Sequence, residues 1–134
     1  MVERRFARDV NALEAVMAFV REFLSQRGAA RDATLDVELI VEELFTNVVR
    51  HARGGAPEVA LALHWKPPTL TLRLRDFGVE PFDVTRVPAP DLAAPLLARR
   101  PGGLGIHLVR RIADRIEYAY QNGNTVTVTK RLDD

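Results

Sequence analysis

Residues 38–52, ELIVEELFTNVVRHA, form the stretch from which the fold of this 134-residue chain can be worked out. Aliphatic side chains recur there at the spacing of a helix that packs one face on a core, at Val37, Val41, Leu44 and Val48. Glu43 and Asn47 are four residues apart, so the same helix would hold a carboxylate beside a carboxamide. Taken alone, such a pair is more often two solvated residues on the outer face of an amphipathic helix.

The pair also suits metal-assisted phosphoryl transfer. Mg²⁺ takes hard oxygen ligands, few of them from protein, and completes its octahedron with phosphates and waters. The carbonyl oxygen of Asn47 is such a ligand, and Glu43 one turn earlier can orient or deprotonate an attacking hydroxyl or water. These two residues are therefore candidates for a metal ligand and a general base.

The rest of the chain supplies a second helix, an edge strand and a third helix. Residues 2–7 suit a short edge strand, after which Asp9 is a candidate N-cap for a helix that ends at Arg27-Gly28. Thr34 is the candidate cap of the central helix, which would run to about Ala52. The third helix follows a run of glycines near residue 105, with apolar residues at helical spacing.

Alternating apolar residues predict four further strands in two hairpins. Residues 59–65 and 70–74 flank Pro67-Pro68, and residues 116–120 and 125–129 flank Asn122-Gly123, a strong two-residue turn signal. The order is strand, two helices, hairpin, loop, helix, hairpin. It predicts a single α+β domain over residues 1–134, a two-layer α/β sandwich with a mostly antiparallel sheet and three helices on one face.

Composition limits the function classes. The net charge of +1 and the scattered arginines do not favour a nucleic-acid or anionic-membrane surface. No apolar run is long enough for a membrane span, and no signal peptide is indicated. The absence of cysteine excludes thiolate chemistry and is compatible with the cytoplasm. The three histidines lack the spacing of zinc ligands, so a zinc site is not expected.

Two other stretches bear on chemistry. Asp76-Phe77-Gly78 ends a predicted strand, where a carboxylate can accept from an exocyclic amine and a glycine lets a flat ring approach the backbone. Gly102-Gly103-Leu104-Gly105 opens a predicted helix, where backbone amides can face phosphates. Each motif alone is common in turns and loops. Between them, residues 79–101 carry five prolines and form a long loop, typical of a lid.

In this order and spacing, the three motifs resemble the N, G1 and G2 boxes of the GHKL ATPase superfamily. The stretches EELFTNVVRHA, RDFGVEPFD and GGLGIHLVRRIADRIEY are most similar to stand-alone serine kinases that act as anti-sigma factors, of the RsbW and SpoIIAB type. The resemblance spans nearly the whole chain. It implies the α/β sandwich fold already indicated, with ATP and Mg²⁺ as cofactors and residues 79–101 as the ATP lid.

The resemblance also implies roles for single residues. Glu43 matches the acid that activates the attacking group, Asn47 the magnesium ligand, and Asp76 the aspartate that accepts from the adenine amine. The remaining cofactor-binding matches are Gly78 beside the ring and Gly103, Leu104 and Gly105 at the phosphates. Where the family often has Gly-Thr near adenine, this chain has Asn-Gly-Asn-Thr, so Thr125 or Thr127 would substitute.

For function, the resemblance implies a protein serine/threonine kinase and anti-sigma factor. Such a protein binds a sigma factor and phosphorylates a serine of a STAS-domain antagonist; family members commonly dimerise, although no homodimer face is identifiable here. A non-catalytic ATP-binding switch that sequesters a partner is the alternative. A histidine kinase catalytic domain fits less well, since no helical hairpin with an acceptor histidine precedes the motifs. Gyrase-type or chaperone-type function is disfavoured because no transducer domain follows.

Overall fold

The described part of the chain folds into one antiparallel sheet covered on one face by three helices. The structure, a computed structural model, describes residues 1–51, 55–86 and 103–132. The strands are β1 (Val2–Ala7), β2 (Glu58–Lys66), β3 (Thr69–Phe77), β4 (Arg115–Tyr120) and β5 (Gly123–Arg131). The helices are α1 (Leu13–Gln26), α2 (Arg31–His51) and α3 (Gly103–Ile112), with short 3₁₀ turns at Val10–Ala12 and Val84–Arg86. The predicted α+β sandwich is confirmed.

The sheet has the strand order β1-β2-β3-β5-β4, and all its neighbouring strands are antiparallel. Both predicted hairpins are present, β2–β3 around Pro67-Pro68 and β4–β5 around Asn122-Gly123. Asn122 has a φ of 58° and Gly123 a φ of 145°, the left-handed region that this turn requires. Because β5 is inserted between β3 and β4, the second hairpin lies beside the first hairpin in the sheet.

The helix boundaries follow local signals, with one exception. Asp9 caps the first 3₁₀ turn by accepting from the Asn11 amide at 2.8 Å, and α1 ends before Gly28, whose φ is 71°. Thr34, in contrast, does not cap α2. That helix begins three residues earlier, and the Thr34 hydroxyl donates to the Ala30 carbonyl at 2.9 Å, the bond of a threonine inside a helix. The first turn of α2 therefore lacks the predicted threonine cap.

The core lies between the helices and one face of the sheet. Helix α2 contacts both α1 and α3 and so lies between them. Its fully buried side chains are Val37, Ile40, Val41, Leu44 and Phe45. The strands contribute alternate residues of β2, β3 and β5, in which Leu61, Leu63, Leu70, Leu72 and Val128 are buried. This packing fixes α2 over the middle of the sheet and determines where its polar residues lie.

The other face of the sheet, the open face, carries threonines and arginines. Arg73 and Arg75 of β3 lie opposite Thr127 and Thr125 of β5, so these side chains share that face. The guanidinium groups of Arg5 and Arg75 lie over the ring of Phe77, 5.2 and 5.3 Å from its centroid. Arginines that are scattered in the sequence are thus brought together by strand register.

Candidate nucleotide site

A cavity of about 450 Å³ opens between α2 and the end of β3. We call its two sides the helix wall, formed by Asn47, Val48 and His51 of α2, and the sheet wall. The sheet wall consists of Asp76 of β3, Asn124 and Val126 of β5, and residues of the segment 79–84. Two of the polar residues singled out in the sequence, Asn47 and Asp76, therefore face one cavity although they belong to different layers.

Asn47 is the buried polar residue of the helix wall. Its side chain is only 5% exposed, and the packing of its neighbours Leu44 and Phe45 against the sheet fixes its height above β3. One turn earlier, Glu43 is half-buried and its carboxylate touches α3. A Cβ atom at Gly105 would overlap Oε2 of Glu43 and lie 2.6 Å from its Cδ. Glycine at position 105 is thus what allows Glu43 to reach α3.

The glycine-rich stretch opens α3 as predicted. Gly103 is the first residue of the helix and Gly105 is buried two residues later. The side chain of Leu104 is outside the described part of the structure. A helix N-terminus presents free backbone amides and positive potential, which suits an anion. The contact of Gly105 with Glu43 brings this end of α3 beside the helix wall.

Asp76 is buried at the end of β3 and is held by an arginine. Its carboxylate forms an ion pair with Arg8, and the two side chains are 5% and 8% exposed. Burial raises the pKa of Asp76, while the charge of Arg8 and its hydrogen bond act in the opposite direction. Asp76 is one of the residues that line the cavity, whereas Arg8 is not.

The chain turns sharply after Asp76. Gly78 has a φ of 68°, a conformation that favours glycine, and its amide donates to the Asn122 carbonyl at 3.0 Å. The carbonyl of Phe77 accepts from the Ala56 amide at 3.0 Å and from Arg8 at 3.1 Å. These bonds tie the end of β3 to both neighbouring segments, so that the backbone beside the cavity is fixed.

Asn124 is a site residue that the sequence did not single out. It lies opposite Asp76 on β5, and its Oδ1 accepts from the Phe82 amide at 2.9 Å and from the Tyr118 hydroxyl. Its Nδ2 donates to the Glu80 carbonyl at 3.2 Å. Asn124 therefore anchors the first part of the predicted lid to the sheet.

Two aromatic residues complete this anchor. The Tyr120 hydroxyl donates to the Val79 carbonyl at 2.6 Å. Phe82 stacks on His51 of the helix wall, with ring centroids 4.7 Å apart and planes 15° from parallel. The segment that follows β3 thus bridges the two walls. The remainder of the predicted lid, residues 87–101, lies outside the described residues.

Thr125 is not brought to the cavity. It lies opposite Arg75 and Ala119, on the open face of the sheet, beside a smaller cavity of about 200 Å³ that Arg73 and Arg75 also line. Thr127 lies on the same face, opposite Arg73. Successive residues of a strand point to opposite faces, so the turn places Asn124 rather than Thr125 toward the helices.

No group of three or more histidine, aspartate or glutamate side chains that would hold a metal ion occurs in ranges 1–51, 55–86 and 103–132. Within the same ranges, no helix is long and apolar enough to cross a membrane.

The chain is similar to one family of known proteins, both by its family model and by its curated relatives. Residues 6–130 match the model of the histidine kinase-like ATPase domain. The chain is 29% identical over 113 residues to proteins named serine-protein kinase RsbW from Bacillus cereus and Bacillus anthracis, covering 81% of this chain and 70% of theirs.

A solved structure of the RsbU and RsbW domains of a Mycobacterium tuberculosis protein superposes with a TM-score of 0.65 at 19% identity. The superposition covers 98% of this chain and 33% of that one, so the chain spans one third of its length. This likeness concerns the fold.

Proposed function

Since this chain belongs to the histidine kinase-like ATPase domain family, we propose that it is an ATP- and Mg²⁺-dependent protein serine/threonine kinase. The observation that carries the proposal is the convergence of Asn47 and Asp76 on one cavity, with Glu43 one turn from Asn47. The names of the Bacillus relatives support protein serine as the acceptor class. The residues of each wall have distinct roles.

The sheet wall is the proposed base end of the site. Asp76, buried and facing the cavity, would accept a hydrogen bond from the exocyclic amine of adenine. Gly78, the family's match beside the ring, makes the sharp turn after this carboxylate with its φ of 68°. A cavity of about 450 Å³ is of the size typical of small-molecule sites.

The helix wall and the start of α3 form the proposed phosphate end. The backbone at Gly103, Leu104 and Gly105 would donate to phosphate oxygens at the positive end of the helix. The donor set fits Mg²⁺, because the buried amide of Asn47 faces the cavity and this ion takes most of its ligands from phosphates and water. When bound, the ion neutralises phosphate charge.

Glu43 is the proposed base. Its carboxylate is half-buried, lies on the same helix as Asn47 and touches the first turn of α3, next to the proposed phosphate end. From there it would orient the acceptor hydroxyl and take its proton as the oxygen attacks the γ-phosphorus. The phosphoryl group leaves ADP and becomes bonded to the acceptor oxygen.

The proposed partners are those that the resemblance to anti-sigma-factor kinases implies. The chain would bind a sigma factor and release it when an unphosphorylated STAS-domain antagonist competes, and the phosphoryl acceptor would be a serine of that antagonist. A homodimer is the proposed assembly. The second candidate is a non-catalytic switch, in which nucleotide changes the segment 79–101 and its partner surface without phosphoryl transfer. It is favoured by the bridge that Phe82 and Asn124 build between the two walls.

The first experiment is a calorimetric titration of wild type and Asn47→Ala with ATP, with and without Mg²⁺. We expect binding that depends on Mg²⁺ and weakens in Asn47→Ala. Folded wild-type protein that does not bind ATP would refute the proposal. A phosphotransfer assay on candidate STAS-domain proteins, with Glu43→Gln as control, then separates kinase from switch. Loss of transfer by about 100-fold or more in Glu43→Gln, with ATP binding retained, is the result expected for a base.

A further inference from the structure

Arg8 is a buried cation at the back of the proposed base end. It lies in the turn after β1, where its backbone amide donates to the Pro57 carbonyl at 2.9 Å. Its guanidinium reaches the far end of β3, where Nη2 bonds the Asp76 carboxylate and the Phe77 carbonyl. One nitrogen thus holds both the carboxylate and the backbone that follows it.

The guanidinium approaches through a space that only a glycine leaves open. A Cβ atom at Gly55 would overlap Nη1 of Arg8 and lie 2.6 Å from Nη2. Gly55 precedes β2 and Arg8 follows β1, so the entry to Asp76 from this side is built by residues that flank these two neighbouring strands. Arg8 is not among the residues that line the cavity, although Val79, which lines it, borders the same space beside Gly55.

Among the described residues, few hydrogen-bond acceptors reach Arg8. Its Nε and Nη1 atoms are buried and have no partner among the described residues. A guanidinium with unsatisfied buried donors carries a desolvation cost, which here is offset chiefly by the charge of Asp76. Conversely, burial raises the pKa of Asp76 and Arg8 counteracts it. Each group therefore stabilises the charged form of the other.

We propose that Arg8 is a positioning residue that keeps Asp76 ionised and oriented, so that the carboxylate can accept a hydrogen bond from the exocyclic amine of an adenine base. The inference rests on the proposed function. Arg8 bonds the carboxylate oxygen Oδ1 and does not line the cavity, so the other carboxylate oxygen would remain for the nucleotide. Without this cation, the buried carboxyl would take up a proton more readily and lose acceptor strength.

The test measures the preference for ATP over purine riboside triphosphate, which lacks the exocyclic amine. Wild type, Arg8→Gln, Arg8→Lys, Asp76→Asn and the Arg8→Gln/Asp76→Asn double variant are titrated with both nucleotides. We expect Arg8→Gln to weaken ATP binding about tenfold, the effect of losing a charge-assisted hydrogen bond, and to change binding of the analogue less than about twofold. Arg8→Lys keeps the charge and should retain more of the preference.

The double variant shows whether Arg8 acts through Asp76. In the Asp76→Asn background, Arg8→Gln should no longer change the preference. Equal weakening of both nucleotides by Arg8→Gln, or an effect that persists in the Asp76→Asn background, would overturn the inference. If thermal unfolding shows that Arg8→Gln does not fold, Arg8→Lys decides. The lysine ammonium lies one bond short of the position of Nη2, so it cannot keep both contacts at full hydrogen-bond length and should lower the preference about threefold. An unchanged preference would refute the role.

The same titrations separate this inference from the proposed function. Wild-type protein that binds neither nucleotide refutes ATP binding as such. Wild-type protein that binds both equally well refutes recognition of the amine, and with it the role of Arg8, while ATP binding stands. An undiminished preference in folded Arg8→Gln refutes the role of Arg8 alone.

Discussion

The helix wall and the sheet wall hold their polar side chains by different kinds of interaction. Asn47 is placed by apolar packing, because the helix that carries it is pressed between two others and onto the sheet. Asp76 and Asn124 are placed by hydrogen bonds and an ion pair to Arg8, Tyr118 and the segment after β3. Packing tolerates small adjustments of side-chain volume, whereas a buried polar network loses much when one member is removed.

The largest expected effect tests the packing of the helix wall. Phe45, on the buried face of α2, is 1% exposed. We therefore expect Phe45→Ala to lower the free energy of unfolding by about 3–5 kcal/mol in urea titrations. Leu35→Ala is the matched control on the same helix, where the side chain is 52% exposed and the cost should stay within about 0.5 kcal/mol. Equal costs in the two variants would contradict placement by packing.

The next effect tests the polar network of the sheet wall. Asn124→Ala removes the partners of the Phe82 amide, the Glu80 carbonyl and the Tyr118 hydroxyl. We expect a loss of about 2 kcal/mol in the free energy of unfolding and faster hydrogen exchange at the Phe82 amide. Thr125→Ala, one residue along and on the open face, should have little effect on either. Faster exchange in Thr125→Ala alone would refute the assignment of the anchor.

Gly105→Ala tests whether the contact between Glu43 and α3 matters for the proposed phosphoryl transfer. The added Cβ would overlap the end of the Glu43 side chain, which is flexible, so stability should change little while the carboxylate moves. We expect phosphoryl transfer to fall about tenfold, equivalent to about 1.4 kcal/mol, with ATP affinity nearly unchanged. Arg111→Ala, exposed on the same helix, should leave both unchanged. Retained transfer in Gly105→Ala would argue against Glu43 as the base.

The smallest effect is a pH dependence of the sheet wall. Burial raises the pKa of Asp76 above 3.8, and Arg8 offsets only part of this. Between 3.8 and the folded-state pKa, the folded protein binds more protons than the unfolded one, so the contribution of Asp76 to stability falls as pH rises. The unfolding free energy of wild type minus that of Asp76→Asn should therefore decrease from acid toward neutral pH. An increase would mean that the charge of Arg8 outweighs burial.

The two walls also differ in how well the sequence predicts them. The spacing of Glu43 and Asn47 is local, since residues four apart on a helix are neighbours whatever the rest of the chain does. The Asn122-Gly123 turn is local too, and the hairpin is confirmed. These signals sufficed for the α+β fold and for the helix wall.

The sheet wall depends on contacts between distant residues. Arg8 and Asp76 are 68 positions apart, and no sequence periodicity indicates that the single arginine after β1 pairs with this aspartate. Asn124 faces the cavity only through its register with Asp76 on β3. Adjacent residues of a strand point to opposite faces of the sheet, so a shift of one residue exchanges the two faces. For that reason Thr125, the expected residue, lies on the open face, whereas its neighbour Asn124 faces the cavity. The Asn122-Gly123 turn fixes the register of β4 against β5, but the register of β5 against β3 follows only when β3 is known to be the neighbouring strand.

The place of β5 in the strand order has a consequence for the growing chain. Because β5 is inserted between β3 and β4, the strand that carries Asp76 stays an unpaired sheet edge until residues 123–131 have been synthesised. Such an edge is a template for pairing with other chains. A nascent chain therefore exposes this aggregation-prone edge until β5 pairs with β3 and adds Asn124 and Val126 to the cavity.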